Sequence, residues 1–170
     1  LFLDHTLLVA DVMVALELAC RTSGRVRLIE ADEILARAPE ATKRRKTPFQ
    51  WAVTCRYLEE PVTLGVAPDG IFGLHFLDRP EGRNRAYFFL EADRATMPIQ
   101  RANVRQTSCF RKLTAYYETW KQDIHTSVYG IKNFRVLTVT TSPERVENLI
   151  RANRGLANGQ GSKLFLFTDE

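Results

Sequence analysis

The chain has 170 residues, 45% of them hydrophobic and 26% charged, a composition that excludes wholesale disorder and suits one folded domain. A net charge of +4 and a pI near 9.1 lean toward a polyanionic partner. No apolar run approaches the ~20 residues a spanning helix needs, and the three cysteines (Cys20, Cys55, Cys109) are odd in number and scattered, which argues against a zinc knuckle or a disulfide framework and fits reduced thiols in the cytoplasm.

The opening stretch is apolar, but Asp4, His5, Asp11 and Glu17 interrupt it and no basic segment precedes it, so it does not read as a signal peptide. Leu7, Leu8, Val12, Ala15, Leu16 and Ala19 recur at helical spacing, which predicts a helix over 6–21 that stops at Gly24. A strand follows over Val26 to Ile29. Residues 36–48, with two prolines and the run Lys43-Arg44-Arg45-Lys46, read as loop. Residues 49–58 alternate Trp51, Val53, Cys55 and Tyr57 with Ala52, Thr54 and Arg56, as a half-exposed strand does.

The centre reads as a hairpin, 68–77 and 85–93, joined by Asp-Arg-Pro-Glu-Gly-Arg-Asn with Gly82 left-handed. The register that follows sets Asp69 opposite Asp93 and Ile71 opposite Glu91, with Asp69, Glu91 and Asp93 on one face at one end. Phe72, Leu74, Phe76, Phe88 and Leu90 form the other, core-directed face. Residues 104–121 carry a helical stripe of Val104, Phe110, Leu113, Tyr117 and Trp120, with Lys112 and Tyr116 beside it. A strand over 134–141 leads to Ser142-Pro143-Glu144, a helix start with Ser142 as cap; Gly155 ends that helix and 163–168 is a last strand. The expected architecture is a mixed α/β domain, a central sheet with flanking helices, over residues 1–170.

Three carboxylates converging at strand ends suit Mg2+ or Mn2+, with Asp69, Glu91 and Asp93 as ligands. Such an ion would polarise a phosphodiester and activate water. Pro68-Asp69 followed by Glu91-x-Asp93 on the neighbouring strand resembles the PD-(D/E)xK restriction-endonuclease-like core, whose element order (helix, three strands, helix, strand) matches this reading. Where that core carries Lys, this chain has Asp93. Some members supply the Lys from the following helix, which points to Lys112. The same resemblance allows a further Glu from the first helix, where Glu17 is the only candidate; Glu30, on the first strand, is no better supported.

A second resemblance spans residues 4–150. "DHTLLVADVMVAL", "PDGIF", "FFLEADRATMPIQR", "KLTAYYETW" and "FRVLTVTTSPERVENLI" together are similar to the plasmid replication-relaxation protein family. It implies that Asp93 in the Lys position is the family's own pattern. It also implies a role in plasmid or mobile-element replication or mobilisation, and a DNA-binding segment N-terminal to this region in a longer chain.

Outside the acids, His5 reads as a helix-start residue packing on the sheet, with a catalytic or metal role as the alternative. His75 lies some six residues, or ~20 Å of strand, from Asp69. His125 falls in an expected loop, and the three histidines lack zinc spacing. Lys43, Arg44, Arg45 and Lys46 form one candidate DNA-binding group, and Arg94, Arg105 and Arg111 a second near the acids. Tyr116, Tyr117 and Trp120 read as core packing, with base stacking as the alternative. The functional expectation is a DNA-binding, nuclease-like domain that nicks DNA with a divalent metal, Asp69, Glu91, Asp93 and Lys112 being catalytic. The alternative is a catalytically silent module that docks DNA or a replication partner.

Overall fold

The computed structural model describes residues 2–57, 60–102 and 106–170; Val104 and Arg105 lie outside the described residues. Helix α1 (Phe2–Ser23) leads into strand β1 (Val26–Ile29) through Gly24, whose φ of +60° only glycine adopts freely. Two short helices, α2 (Ala31–Arg37) and α3 (Glu40–Lys43), occupy what the sequence suggested was polar chain and loop. Strands β2 (Trp51–Tyr57) and β3 (Glu60–Val66) pair with each other, and β4 (Gly70–Phe76) with β5 (Arg85–Asp93). Helices α4 (Cys109–Lys121) and α5 (Ile124–Tyr129), strand β6 (Arg135–Thr140), helix α6 (Pro143–Arg154) and strand β7 (Phe165–Asp169) complete the chain.

The main sheet is five-stranded, in the order β1-β4-β5-β6-β7. Its β1–β4 and β4–β5 pairs are antiparallel, and β5–β6 and β6–β7 are parallel. Parallel neighbours need a crossover, which α4 with α5 supplies before β6 and α6 before β7. The expected mixed α/β architecture is therefore present. Strand β2 stands apart from the main sheet, in a separate two-stranded sheet with β3, a strand the sequence reading did not include.

The hairpin register differs from expectation by two residues: Ile71 faces Phe89 instead of Glu91, and Gly70 faces Leu90. The turn explains this. Pairing stops at His75–Arg85, beyond which Phe76 N–H still donates to the Asn84 carbonyl, so the tip loop is longer than three residues. A slip of two leaves every side chain on its expected face. Gly82 is left-handed as anticipated, at φ +84°.

Both faces of this hairpin are buried. Phe72, Leu90, Leu28 and Val139 pack with α1 residues such as Leu8 and Leu16. Ile71 and Phe89 face the larger core, with Trp51, Leu64, Tyr116, Tyr129 and Val136. Phe89, fully buried, has the Phe134 ring 4.8 Å away and Trp51 at 5.1 Å. The β2–β3 pair, α4 and α5 thus cover the side that the sequence left for polar residues. Ser142 caps α6 through its side chain, accepting from Arg145 N–H at 3.2 Å, and Ser108 does the same for α4, which begins five residues later than the helical stripe suggested. Among the described residues no helix is long and apolar enough to cross a membrane.

Candidate active site

Three acids reach the same end of the sheet because β4 starts where β5 stops. Asp69 precedes β4, while Glu91 and Asp93 occupy the last turn of pleat in β5. All three line one cleft of about 240 Å3, together with His5, Lys112 and Tyr116.

Glu91 is 6% exposed, and both of its oxygens are taken. Lys112 Nζ donates to Oε2 and the Tyr116 hydroxyl to Oε1. Lys112 and Tyr116 are one helical turn apart on α4, so the same helical face delivers both to one carboxylate. Burial pushes the Glu91 carboxyl above the usual range; Lys112 opposes this, and the nearby Asp69 charge adds to it. Burial works against the Lys112 ammonium as well, but the Glu91 and Asp69 charges outweigh it and hold the amine charged. The Tyr116 phenol is raised by burial and by the Glu91 charge, so it acts as a donor.

Asp69 links this pair to α1. His5 Nε2–H donates to Asp69 Oδ1 at 3.1 Å, and the Ala92 backbone N–H donates to Oδ2 at 2.8 Å. The second bond locks Asp69 to β5 beside Glu91. His5, read from sequence as a packing residue, is thus a member of the cleft.

Asp93 is differently engaged. Arg145 on α6 grips it from both nitrogens, Nε to Oδ2 at 2.6 Å and Nη2 to Oδ1 at 3.1 Å. Thr140 O–H and Ala95 N–H add further bonds, and the side chains of Asp93 and Arg145 are only 12% and 10% exposed. Arg145 Nη2 also donates to the Met97 carbonyl at 2.6 Å and meets Cys109 Sγ at 3.1 Å. One guanidinium therefore ties β5, the segment after it, α4 and α6 together. Burial, with the Asp93 charge behind it, lifts the Cys109 thiol to about 11.

The structure therefore brings Asp69, Glu91 and Lys112 together as the sequence anticipated, while Asp93 faces Arg145. Among the described residues, no group of three or more His, Cys, Asp or Glu side chains is arranged to hold a metal ion. Glu17 pairs with Arg21 at 2.7 Å along α1, and Glu30 is exposed at the start of α2; neither lines the cleft. Of the basic candidates, Arg94 lines it and half-buried Arg111 sits on the first turn of α4. Arg105 is outside the described residues. Lys43, Arg44, Arg45 and Lys46 are exposed on and after α3, a helix whose Thr42 donates to the Val128 carbonyl of α5; they form a separate surface. His75 accompanies Asn84 near the hairpin tip at 3.1 Å, and His125 is buried in α5 and not in a loop.

Two participants had little or no sequence signal. Tyr116 was legible in the Lys-x-x-x-Tyr spacing, although its apolar neighbours argued for plain packing. Arg145 was not: its partner is 52 residues away, joined only because β6 runs parallel beside β5 and sets Thr140 against Asp93.

Neither the curated proteins nor the solved structures compared with this chain give a match. The replication-relaxation family model does, over residues 1–134, which include α1, both hairpins, α4 and every acid of the cleft. The chain belongs to the replication-relaxation family.

Proposed function

We propose that this domain is a nuclease-type α/β core that acts on DNA in plasmid or mobile-element replication or mobilisation, with Asp69, Glu91 and Lys112 as its centre. The carrying observation is the ion pair between Lys112 of α4 and Glu91 of β5, next to Asp69. In a PD-(D/E)xK site the lysine follows the second acid on the same strand. Here Asp93 has that place and is neutralised by Arg145, while α4 offers Lys112 to the Glu91 carboxylate. Topology supports the reading. With α2, α3 and the β2–β3 pair treated as an insertion after β1, and α5 as an extension of the crossover, the order is a helix, three antiparallel strands (β1, β4, β5), a helix and a parallel strand, β6.

Magnesium is held by one or two carboxylates and keeps several waters, and Asp69 with Glu91 fits that donor set, since a carboxylate accepts about four bonds. Asp93 fits less well: the Arg145 guanidinium holds both of its oxygens, whereas Lys112 meets only one oxygen of Glu91. When bound, such an ion supplies phosphodiester polarisation and an acidified water. The chain's own contribution is a charged Lys112 to stabilise a pentacovalent phosphate, a buried Glu91 carboxyl, and a His5–Asp69 pair that fixes the Asp69 oxygens. Arg94 on the cleft wall suits the DNA backbone, and the exposed Lys43–Lys46 run offers phosphate contacts on its separate surface.

A second reading, a silent module that docks DNA or a replication partner, is favoured by one observation: each oxygen of Asp69, Glu91 and Asp93 has a protein partner. Supercoiled plasmid incubated with the protein and Mg2+ or Mn2+ separates the two. Nicking by the wild type and not by Asp69→Ala or Glu91→Ala supports the nuclease. No nicking, with salt-sensitive retention of plasmid by all three proteins, supports docking.

A further inference from the structure

A second groove lies at the other end of β5. Arg85 opens that strand and Glu91 nears its close, six residues or about 20 Å away. The groove, about 650 Å3, is walled by Tyr117 and Trp120 of α4, Phe134, and the cations Arg85, Arg135 and Lys163. Among the described residues, none with a carboxylate lines it. Trp120 is 45% exposed, although the helical stripe suggested core packing for it. Its ring stands 5.9 Å from that of Tyr117, tilted by 35°.

One cation of the wall is held in place: Arg135 Nη1 donates to the Lys163 carbonyl at 2.5 Å, at the residue that carries the second cation. Asn153 clamps the loop before Lys163, donating to the Ser162 carbonyl at 3.0 Å and accepting its N–H at 3.1 Å. Gly161, at φ +70°, turns its N–H onto the Leu156 carbonyl. Arg85 has the Glu33 carboxylate within electrostatic reach, so Arg135 and Lys163 are the principal anion partners. A half-exposed indole beside a phenol, in a groove with exposed cations and no carboxylate lining, is the chemistry that holds an unpaired base and its phosphates.

We propose that this groove binds single-stranded nucleic acid, one base stacking on the Trp120–Tyr117 pair while adjacent phosphates meet Arg135 and Lys163. Duplex is a poor occupant, because its bases are stacked on one another and present only edges. The groove holds independently of whether the acid cleft cleaves, since no residue is shared between them.

The test uses fluorescent dU12 and rU12 at low salt, with anisotropy and tryptophan emission as readouts. The chain has two tryptophans, and Trp51 is buried, so quenching on binding reports Trp120. Wild type is expected to bind at least one oligonucleotide with quenching; which one identifies the sugar preferred. Trp120→Ala weakens binding about tenfold or more, while Trp120→Phe, which keeps an aromatic face, stays within about threefold. Arg135→Ala with Lys163→Ala lowers the slope of log affinity against log salt by about 1.4. Arg21→Ala, an equal loss of charge per site on α1, leaves binding unchanged. Binding of neither oligonucleotide, or equal binding by wild type, Trp120→Ala and the double variant, overturns the proposal.

Discussion

Lys112 of α4 and Glu91 of β5 form an ion pair in which the lysine side chain is 36% exposed and the carboxylate 8%. The asymmetry sets the consequences. Lys112→Ala leaves a buried carboxylate with Tyr116 as its only hydrogen-bond donor and Asp69 repelling it. We expect a loss of about 1–3 kcal/mol in urea unfolding, below the full cost of a broken buried pair because water reaches Lys112. Lys112→Ala combined with Glu91→Gln recovers part of that loss, and the double-mutant cycle measures the coupling.

The Asp93–Arg145 pair is buried on both sides and joins four segments, so its role is architectural. Arg145→Ala is expected to cost about 3–5 kcal/mol by stranding Asp93. Asp93→Asn keeps the shape and the Thr140 contact, and should cost less. Since Asp93 does not belong to the two-carboxylate set, Mn2+ titration should give similar affinities for Asp93→Asn and wild type, and a lost signal for Asp69→Ala.

Glu91 also predicts a pH dependence. Its folded carboxyl is raised above the ordinary 4.5, first by burial, so the folded state holds that proton more tightly than the unfolded chain. Its stabilising contribution is full below 4.5 and is lost as pH rises through the folded value. Glu91→Gln, which keeps a neutral group there, should therefore gain on wild type between pH 4 and pH 8 in paired urea melts. A difference independent of pH would show that the carboxyl is not raised.

All three thiols are buried, and burial pushes each above its usual value, Cys109 to about 11. Native protein at pH 8 should react slowly with a disulfide reagent, and release three equivalents once unfolded. Rapid native labelling of one thiol would place that cysteine on the surface.

Local rules carried the readings that succeeded. Ser142-Pro143-Glu144 names a helix start through its cap and its proline, and the helix begins at Pro143. Alternation in 85–93 set Glu91 and Asp93 on one face, a result that survives a two-residue slip because the pleat repeats every two residues. Lys112 came from no local rule: the resemblance to nuclease cores that take their lysine from the following helix named it, and the structure sets it against Glu91. What depended on long-range assembly was not legible. Residues 51–57 alternate as a sheet strand does, yet alternation does not name the partner, and β3 took them into a separate sheet. Likewise, nothing local to Arg145 distinguishes it from a solvated helix arginine; only the parallel β5–β6 pairing brings Asp93 within reach.

The central claim is that α4 supplies the lysine of a DNA-cleaving site. The most direct measurement is the initial rate of supercoiled plasmid nicking, in Mg2+ or Mn2+, by wild type and Lys112→Ala at a temperature where both are folded. We predict a fall of about 10²- to 10³-fold, the usual effect of removing one group that stabilises charge in a transition state. Nicking at equal rates by the two proteins, or by neither, would contradict it.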